Sequence, residues 1–177
     1  MGERLPSDLG VHLPRVVRTA VPARCVLAFA AALLSTSVLG KSCEELVSLS
    51  LPDVVVESSM LAEGEYKDPA SPLMQPIPLP KHCRVRGSIR PAPSSDIKFE
   101  VWLPVERWNG KLQGSDNGGF GGTINYVGLA LSVNRGYAGV STDTGHAGSS
   151  PEDAAWAKNN PEKVVDFAHR AVHLMTV

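Results

Sequence analysis

The sequence predicts an α/β fold in which an antiparallel pair of strands lies at the edge of the sheet and parallel βαβ units follow. Residues 83–90 and 97–103 alternate apolar and charged side chains, and the turn-forming stretch Pro91–Ser95 separates them. After Pro104 the pattern changes to strand, glycine-rich loop, helix and strand, an order typical of a parallel sheet. Glycine and proline contribute 16 and 14 of the 177 residues, so we expect many tight turns in a folded chain.

The first forty residues have the pattern of a secretory signal peptide. Four arginines precede the uncharged run Cys25–Leu34, which as a helix reaches only about 15 Å and is too short to span a bilayer. Small residues follow, and we place the cleavage after Gly40; a buried helix or a short membrane anchor is the alternative. The sequence therefore predicts a signal peptide over 1–40 and a secreted, extracellular chain over 41–177, with no membrane contact after cleavage.

The cysteines and the net charge restrict the compartment and the partners. Removal of the leader takes Cys25 with it and leaves Cys43 and Cys83, which in an exported chain are expected to form a disulfide. Two free buried thiols are the alternative. The net charge is -1 without a lysine and arginine cluster, and this excludes a nucleic-acid partner because phosphate binding needs a concentrated basic face.

The first elements of the chain 41–177 are short. We predict a helical start over Lys41–Val47, and a strand within Leu51–Ser59 because of its three consecutive valines. Five prolines between Asp68 and Pro80 predict an extended connector outside the core. The run 97–103 then places Ile97, Phe99, Val101 and Leu103 on one face of a half-exposed strand.

The second part of the chain alternates strands and helices. Lys111–Gln113 predicts a short strand, Thr123 a helix cap, and Tyr137–Ser141 the next strand. Asn160, Pro161 and Glu162 then open a helix as cap, first-position proline and early carboxylate. Its predicted buried stripe is still apolar near Val177, so we expect the sequence to be a fragment; the stripe consists of Val164, Phe167, Ala171 and Leu174.

The glycine-rich loop Asn117–Gly122 is the most informative local pattern. It follows a predicted strand and precedes a predicted helix, so its backbone amides can bind an anion at the carboxyl end of the sheet. The anion is either a phosphate or the oxyanion of acyl transfer. Neither the dinucleotide fingerprint nor a Walker loop fits the glycine spacing, and a purely structural turn is the alternative.

Two further groups of polar residues are candidates for chemistry. The segment Ser141–His146 ends a strand with a carboxylate, hydroxyls and an imidazole, although Asp143 and the hydroxyls are better explained as turn-forming side chains. Asp166, His169 and His173 share one helix face, for which a polar outer face is favoured over a zinc site. We predict no metal site, and no Gly-x-Ser-x-Gly nucleophile motif occurs in the sequence.

Five motifs, in order and spacing, resemble the tannase and feruloyl esterase family of secreted ester hydrolases. They are Trp108–Lys111, Asn117–Gly122, Arg135–Gly139, Ser141–His146 and Asp166–His173. The resemblance implies the N-terminal part of an α/β-hydrolase fold and an early disulfide that corresponds to Cys43 and Cys83. It also implies a Ser-Asp-His triad, a lid domain and a calcium site that all lie beyond Val177, so no catalytic residue and no cofactor are expected in this chain.

The resemblance assigns roles to three residues of the glycine loop. Gly118 and Gly119 correspond to the backbone that helps to form the oxyanion hole, and Phe120 to a residue that shapes the acyl pocket for a phenolic ester. His146 belongs to a family motif that we take to be architectural. We therefore predict an esterase for esters of hydroxycinnamic or gallic acids, inactive as the chain stands. A small secreted binding module that holds an anionic ligand in the glycine loop is the alternative.

Overall fold

A computed structural model describes residues 40–148 and 150–177, so the predicted signal peptide and Cys25 lie outside the described residues, except for Gly40. The strands form one five-stranded sheet in the order β1-β2-β3-β5-β4. They are β1 (Val54–Tyr66), β2 (Ile77–Ile89), β3 (Ile97–Pro104), β4 (Leu112–Ser115) and β5 (Ala138–Thr142). The helices are α1 (Tyr126–Asn134), α2 (Pro161–Val165) and α3 (Ala171–Thr176), with a π segment at Asp166–Arg170 and 3₁₀ turns at Glu44–Ser48 and Ala155–Ala157.

The sheet is more antiparallel than the sequence pattern predicts. β1, β2, β3 and β5 pair antiparallel in that order, and β4 pairs with β5 in parallel. The part of the chain that the structure describes therefore holds one parallel βαβ unit, β4-α1-β5, of the parallel units that the sequence predicts. No helix among these residues is both long and apolar enough to cross a bilayer.

Both faces of β3 are covered, so the prediction of a half-exposed strand is wrong. On one face Ile97 and Phe99 pack with Ala171 of α3. On the other face Trp102 packs with Leu129 and Val133 of α1. The alternating charged positions of β3 are consequently not all solvated, and Glu100 is 2% exposed.

The proline-rich segment ends earlier than predicted, because β2 begins at Ile77 and includes Pro78 and Pro80. Pro78 pairs with Glu65 of β1, whereas the pairing of β2 with β3 starts only at His82. The first residues of β2 thus have a neighbouring strand on one side, and this is the strand position in which proline is tolerated.

The disulfide joins Cys43, just before the first 3₁₀ turn, to Cys83 of β2, with their Cα atoms 5.6 Å apart. The crosslink closes a loop with a sequence separation of 40 residues. On the chain-entropy estimate such a loop contributes about 4 kcal/mol to stability.

The helix boundaries differ from the predictions in two places. Asn125, not Thr123, caps α1, because its side-chain oxygen accepts a hydrogen bond of 2.8 Å from the Gly128 amide. In the last helical region Val164 is 42% exposed and Asp166 is fully buried. Asp166 is buried with its carboxylate accepting hydrogen bonds from Ser95 and Arg170, and Ala171, after the π segment, is buried as the stripe predicts.

Candidate functional site

The glycine loop and the Ser141–His146 loop lie side by side at the carboxyl ends of the two parallel strands. β4 ends at Ser115 and β5 at Thr142, and the two strands pair in register there. The Asn117 side-chain amide donates a hydrogen bond of 3.1 Å to the Thr142 carbonyl and joins the two loops. Ligand sites of parallel sheets are built at this edge.

A tight turn over residues 118–121 shapes the glycine loop. The Gly121 amide donates to the Gly118 carbonyl at 3.0 Å, and Gly119 has a φ of +55°. A Cβ atom at Gly119 would collide with Pro151, whereas one at Gly118 would meet nothing within 4 Å. Glycine at 119 is therefore required both by the backbone conformation and by the close approach of residue 151.

The backbone amides of this turn fall into two groups. The Phe120 amide donates to the Pro151 carbonyl at 2.8 Å, and the Gly122 amide to the Gly148 carbonyl at 2.7 Å. Within residues 40–148 and 150–177, the amides of Gly118 and Gly119 donate to no acceptor. The turn thus presents two adjacent backbone donors at the sheet edge, the pair that the sequence analysis singled out.

The predicted substrate-binding residue Phe120 is at the surface of the turn. Its side chain is 44% exposed, and its ring lies 5.9 Å from that of Phe167 in the π segment, measured between centroids. Part of this aromatic side chain, next in sequence to Gly119, is therefore accessible at the surface.

His146 is buried beneath the turn. Its Nε2 lies 2.9 Å from the Phe120 carbonyl oxygen, and its ring stacks on Trp156 at 3.9 Å between centroids. Only 3% of the residue is exposed. This geometry agrees with the prediction that His146 is architectural. The contact with Phe120 could not be predicted from the sequence, because 26 residues separate the two.

Asp143 organises the loop that carries His146. Its Oδ1 accepts hydrogen bonds of 2.9 Å from the amides of Lys98 and Gly145. Burial raises the pKa of Asp143 to about 6, even though both of these hydrogen bonds act to lower it. The turn-forming explanation of this side chain is the one that the structure supports.

Asp166 is fully buried, so its predicted place on a polar outer face with His169 and His173 is wrong. The Ser95 hydroxyl donates to Asp166 Oδ2 at 2.5 Å, and Arg170 donates to Oδ1 at 2.8 Å. The two histidines are exposed, so the three side chains do not form a cluster. Because Ser95 lies 71 residues from Asp166 in the sequence, helical periodicity gives no signal for this contact.

A cavity of about 360 Å³ borders the glycine loop at Gly122. Basic, acidic and phenolic side chains line it, among them Arg86, Lys98, Glu100 and Tyr126. The carboxylate of Glu100 accepts hydrogen bonds from Arg84, Trp102 and Tyr126 and is fully engaged. The cavity wall is thus a paired polar network rather than a set of free charges.

Neither a hydrogen-bonded serine and histidine pair nor a cluster of metal ligands occurs among the described residues. No serine hydroxyl there is hydrogen-bonded to a histidine ring, and no three His, Cys, Asp or Glu side chains group as metal ligands. The family resemblance assigns its calcium site to a lid domain outside this chain, and that site stays a prediction.

A mixed α/β sheet with a glycine-rich turn at the carboxyl ends of its two parallel strands defines the class of this chain, an α/β protein. The chain belongs to the tannase and feruloyl esterase family, since the family model described as "Tannase and feruloyl esterase" matches residues 83–177. This confirms the resemblance drawn from the five motifs.

Relatives and solved structures agree with this assignment. An uncharacterized esterase of Xanthomonas campestris pv. campestris is 37% identical over 147 residues, which is 82% of this chain and 25% of the relative. A probable feruloyl esterase B-2 of Aspergillus flavus is 39% identical over 95 residues, 54% of this chain and 18% of the relative. The crystal structure of feruloyl esterase B from Aspergillus oryzae superposes with a TM-score of 0.62 and 28% identity, over 75% of this chain and 27% of that one. The chain thus spans about a quarter of the length of such proteins.

Proposed function

We propose that the chain is the N-terminal part of the catalytic domain of a secreted carboxylic ester hydrolase and supplies its oxyanion-binding loop. The observation that carries the proposal is that the Gly118 and Gly119 amides donate to no acceptor within residues 40–148 and 150–177, in a chain that belongs to the tannase and feruloyl esterase family. The relatives are named esterases and feruloyl esterases. The alternative, a small binding module for an anionic ligand, is not favoured by this membership.

The chemistry assigned to the turn is stabilisation of negative charge. In the proposed reaction a serine attacks the ester carbonyl while a histidine removes its proton and an aspartate orients the histidine. All three come from residues outside these 177. The Gly118 and Gly119 amides donate to the oxyanion that forms, and one such donor is commonly worth about 3–4 kcal/mol in the transition state.

The substrate proposed is an ester of a hydroxycinnamic or gallic acid. Phe120 follows Gly119 in the chain and is 44% exposed, so in this proposal its ring contacts the planar acyl group while the carbonyl oxygen faces the turn. The predicted signal peptide over 1–40 and the Cys43–Cys83 disulfide favour export to an oxidising compartment. The lid domain of the family is assigned to residues outside this chain.

The proposal is tested on the transcript and on its product. Sequencing past the codon for Val177 should find an open frame that encodes a Gly-Cys-Ser-x-Gly-Gly motif. The purified product should hydrolyse methyl ferulate or methyl gallate, and alanine in place of the motif serine should abolish the hydrolysis. Chain 1–177 serves as the second control and should be inactive. Measurable hydrolysis by chain 1–177, or none by the extended product, contradicts the proposal.

A further inference from the structure

We infer that His146 is the positioning residue of the glycine turn, and that its Nε2 fixes the turn by donating to the Phe120 carbonyl. For its effect on catalysis the inference rests on the proposed function. For its effect on the turn it rests on geometry alone. His146 does not touch the reacting ester in this scheme, because it lies beneath the turn and is 3% exposed.

The turn is held from one side by the segment that follows β5. Pro151 accepts from the Phe120 amide at 2.8 Å, and Gly148 exchanges backbone hydrogen bonds with Gly122. Among the described residues, His146 makes the only side-chain hydrogen bond to the backbone of 118–122. A carbonyl oxygen only accepts, so Nε2 carries the proton in this contact.

His146 is itself fixed by its surroundings. Its ring stacks on Trp156 with an angle of 19° between the planes, and the edge of Phe167 lies 5.8 Å away between centroids. Its Nδ1 lies 3.3 Å from the Thr144 hydroxyl. Because the His146 ring is packed on two sides, its Nε2–H group points in one direction and holds the Phe120 carbonyl there. A flexible side chain would not do this.

The consequence for the site follows from the position of Phe120 in the turn. Both backbone groups of Phe120 are engaged, its amide by Pro151 and its carbonyl by His146. With this residue fixed, the preceding peptides, which carry the Gly118 and Gly119 amides, have little freedom to rotate. Oxyanion donors act best when they need no reorganisation during the reaction.

A matched set of variants separates the hydrogen bond from the packing. His146→Phe keeps a ring against Trp156 and removes the donor, whereas His146→Gln keeps an N–H donor and loses the ring. His169→Gln, at an exposed histidine of the π segment, is the control. Thermal unfolding of each variant identifies any that fail to fold.

Hydrogen exchange on the 177-residue chain tests the turn without reference to activity. We expect the amides of Phe120 and Gly122 to exchange about tenfold faster in His146→Phe than in the wild type. His146→Gln should remain closer to the wild type, and His169→Gln should be unchanged. Exchange in His146→Phe at the wild-type rate overturns the inference.

Kinetics on the extended product test the effect on the reaction. His146→Phe should lower kcat between about 10-fold and 100-fold and change KM less than twofold, with partial recovery in His146→Gln. A loss of kcat in His146→Gln together with a wild-type kcat in His146→Phe would assign the effect to ring packing and overturn the inference. If the wild type does not hydrolyse the esters, the proposed function fails, and the exchange measurement alone decides the inference.

Discussion

Arg84 and Glu100 form a two-point ion pair across β2 and β3. The Arg84 Nε and NH2 groups each lie 2.8 Å from a different carboxylate oxygen of Glu100. Trp102 and Tyr126 donate to the same carboxylate at 2.8 and 3.0 Å. Burial acts to raise the pKa of Glu100, but the hydrogen bonds from Arg84 and Trp102 outweigh it and hold this pKa below its ordinary value.

Glu100→Ala should therefore be strongly destabilising, because it leaves a partly buried guanidinium and two further donors without their acceptor. We expect a loss of about 3 kcal/mol in the free energy of unfolding, measured by urea denaturation. Glu57→Ala is the matched control, since Glu57 pairs with Lys98 at the surface and its loss should cost less than about 1 kcal/mol. Similar losses in the two variants would contradict the role given to the Glu100 network.

Asp143 should make stability fall as the pH rises from about 4 to 6.5. Its pKa is raised to about 6 in the folded protein, whereas an unfolded aspartate ionises near its ordinary value of 3.8. In this window the folded state holds a proton that the unfolded state has lost, so an increase in pH favours unfolding. Over the whole window the free energy of unfolding should fall by about 2–3 kcal/mol.

Asp143→Asn isolates this effect, because the amide oxygen can still accept from Lys98 and Gly145 but does not ionise. The difference in unfolding free energy between variant and wild type should grow in favour of the variant from pH 4 to pH 6.5. Other titrating groups cancel in the difference. A difference that stays constant with pH would show that Asp143 does not hold its proton.

Gly119→Ala should destabilise the turn and Gly118→Ala should not. Alanine at 119 must adopt a φ of +55° and meets Pro151, whereas alanine at 118 has open space around its Cβ. We expect Gly119→Ala to lower the free energy of unfolding by about 2 kcal/mol and Gly118→Ala to lower it by less than about 1 kcal/mol. Thermal or urea unfolding measures both. Equal tolerance at the two positions would argue against the turn geometry described above.

Ser95→Ala should lower stability by about 1–3 kcal/mol, because it leaves one oxygen of the buried Asp166 carboxylate without a donor. The neighbouring Ser94 is exposed and provides the control, for which Ser94→Ala should be near neutral. Urea unfolding of the pair measures the difference. If both variants unfold like the wild type, the contact between the β2–β3 turn and the π segment contributes nothing.

The local pattern predicts the strands and the glycine turn well because these depend on neighbours in the chain. Alternation marks β3, and the order strand, glycine loop, helix marks the β4-α1-β5 unit. The features that the sequence does not reveal depend on contacts between residues far apart in the chain. Glu100 is buried because α1 covers that face of the sheet, and His146 reaches Phe120 across 26 residues.

The exposure of Val164 and the burial of Asp166 are features of the helical region that residue types do not display. The stripe Val164, Phe167, Ala171 and Leu174 follows α-helical spacing, so nothing in it signals the π segment. The buried side chain of Asp166, the first residue of this segment, accepts hydrogen bonds from Arg170 of the same segment and from the distant Ser95. Those contacts become visible only once the sheet and its loops are assembled.

The Cys43–Cys83 disulfide also determines what happens to the chain when it is cut. The exposed, proline-containing loop 67–76 between β1 and β2 lies inside the covalent ring that the disulfide closes. A protease that cleaves this loop yields two polypeptides that migrate as one species until a reductant is added. The nicked chain keeps β1 attached to the rest of the sheet, so a single cut there does not release a fragment.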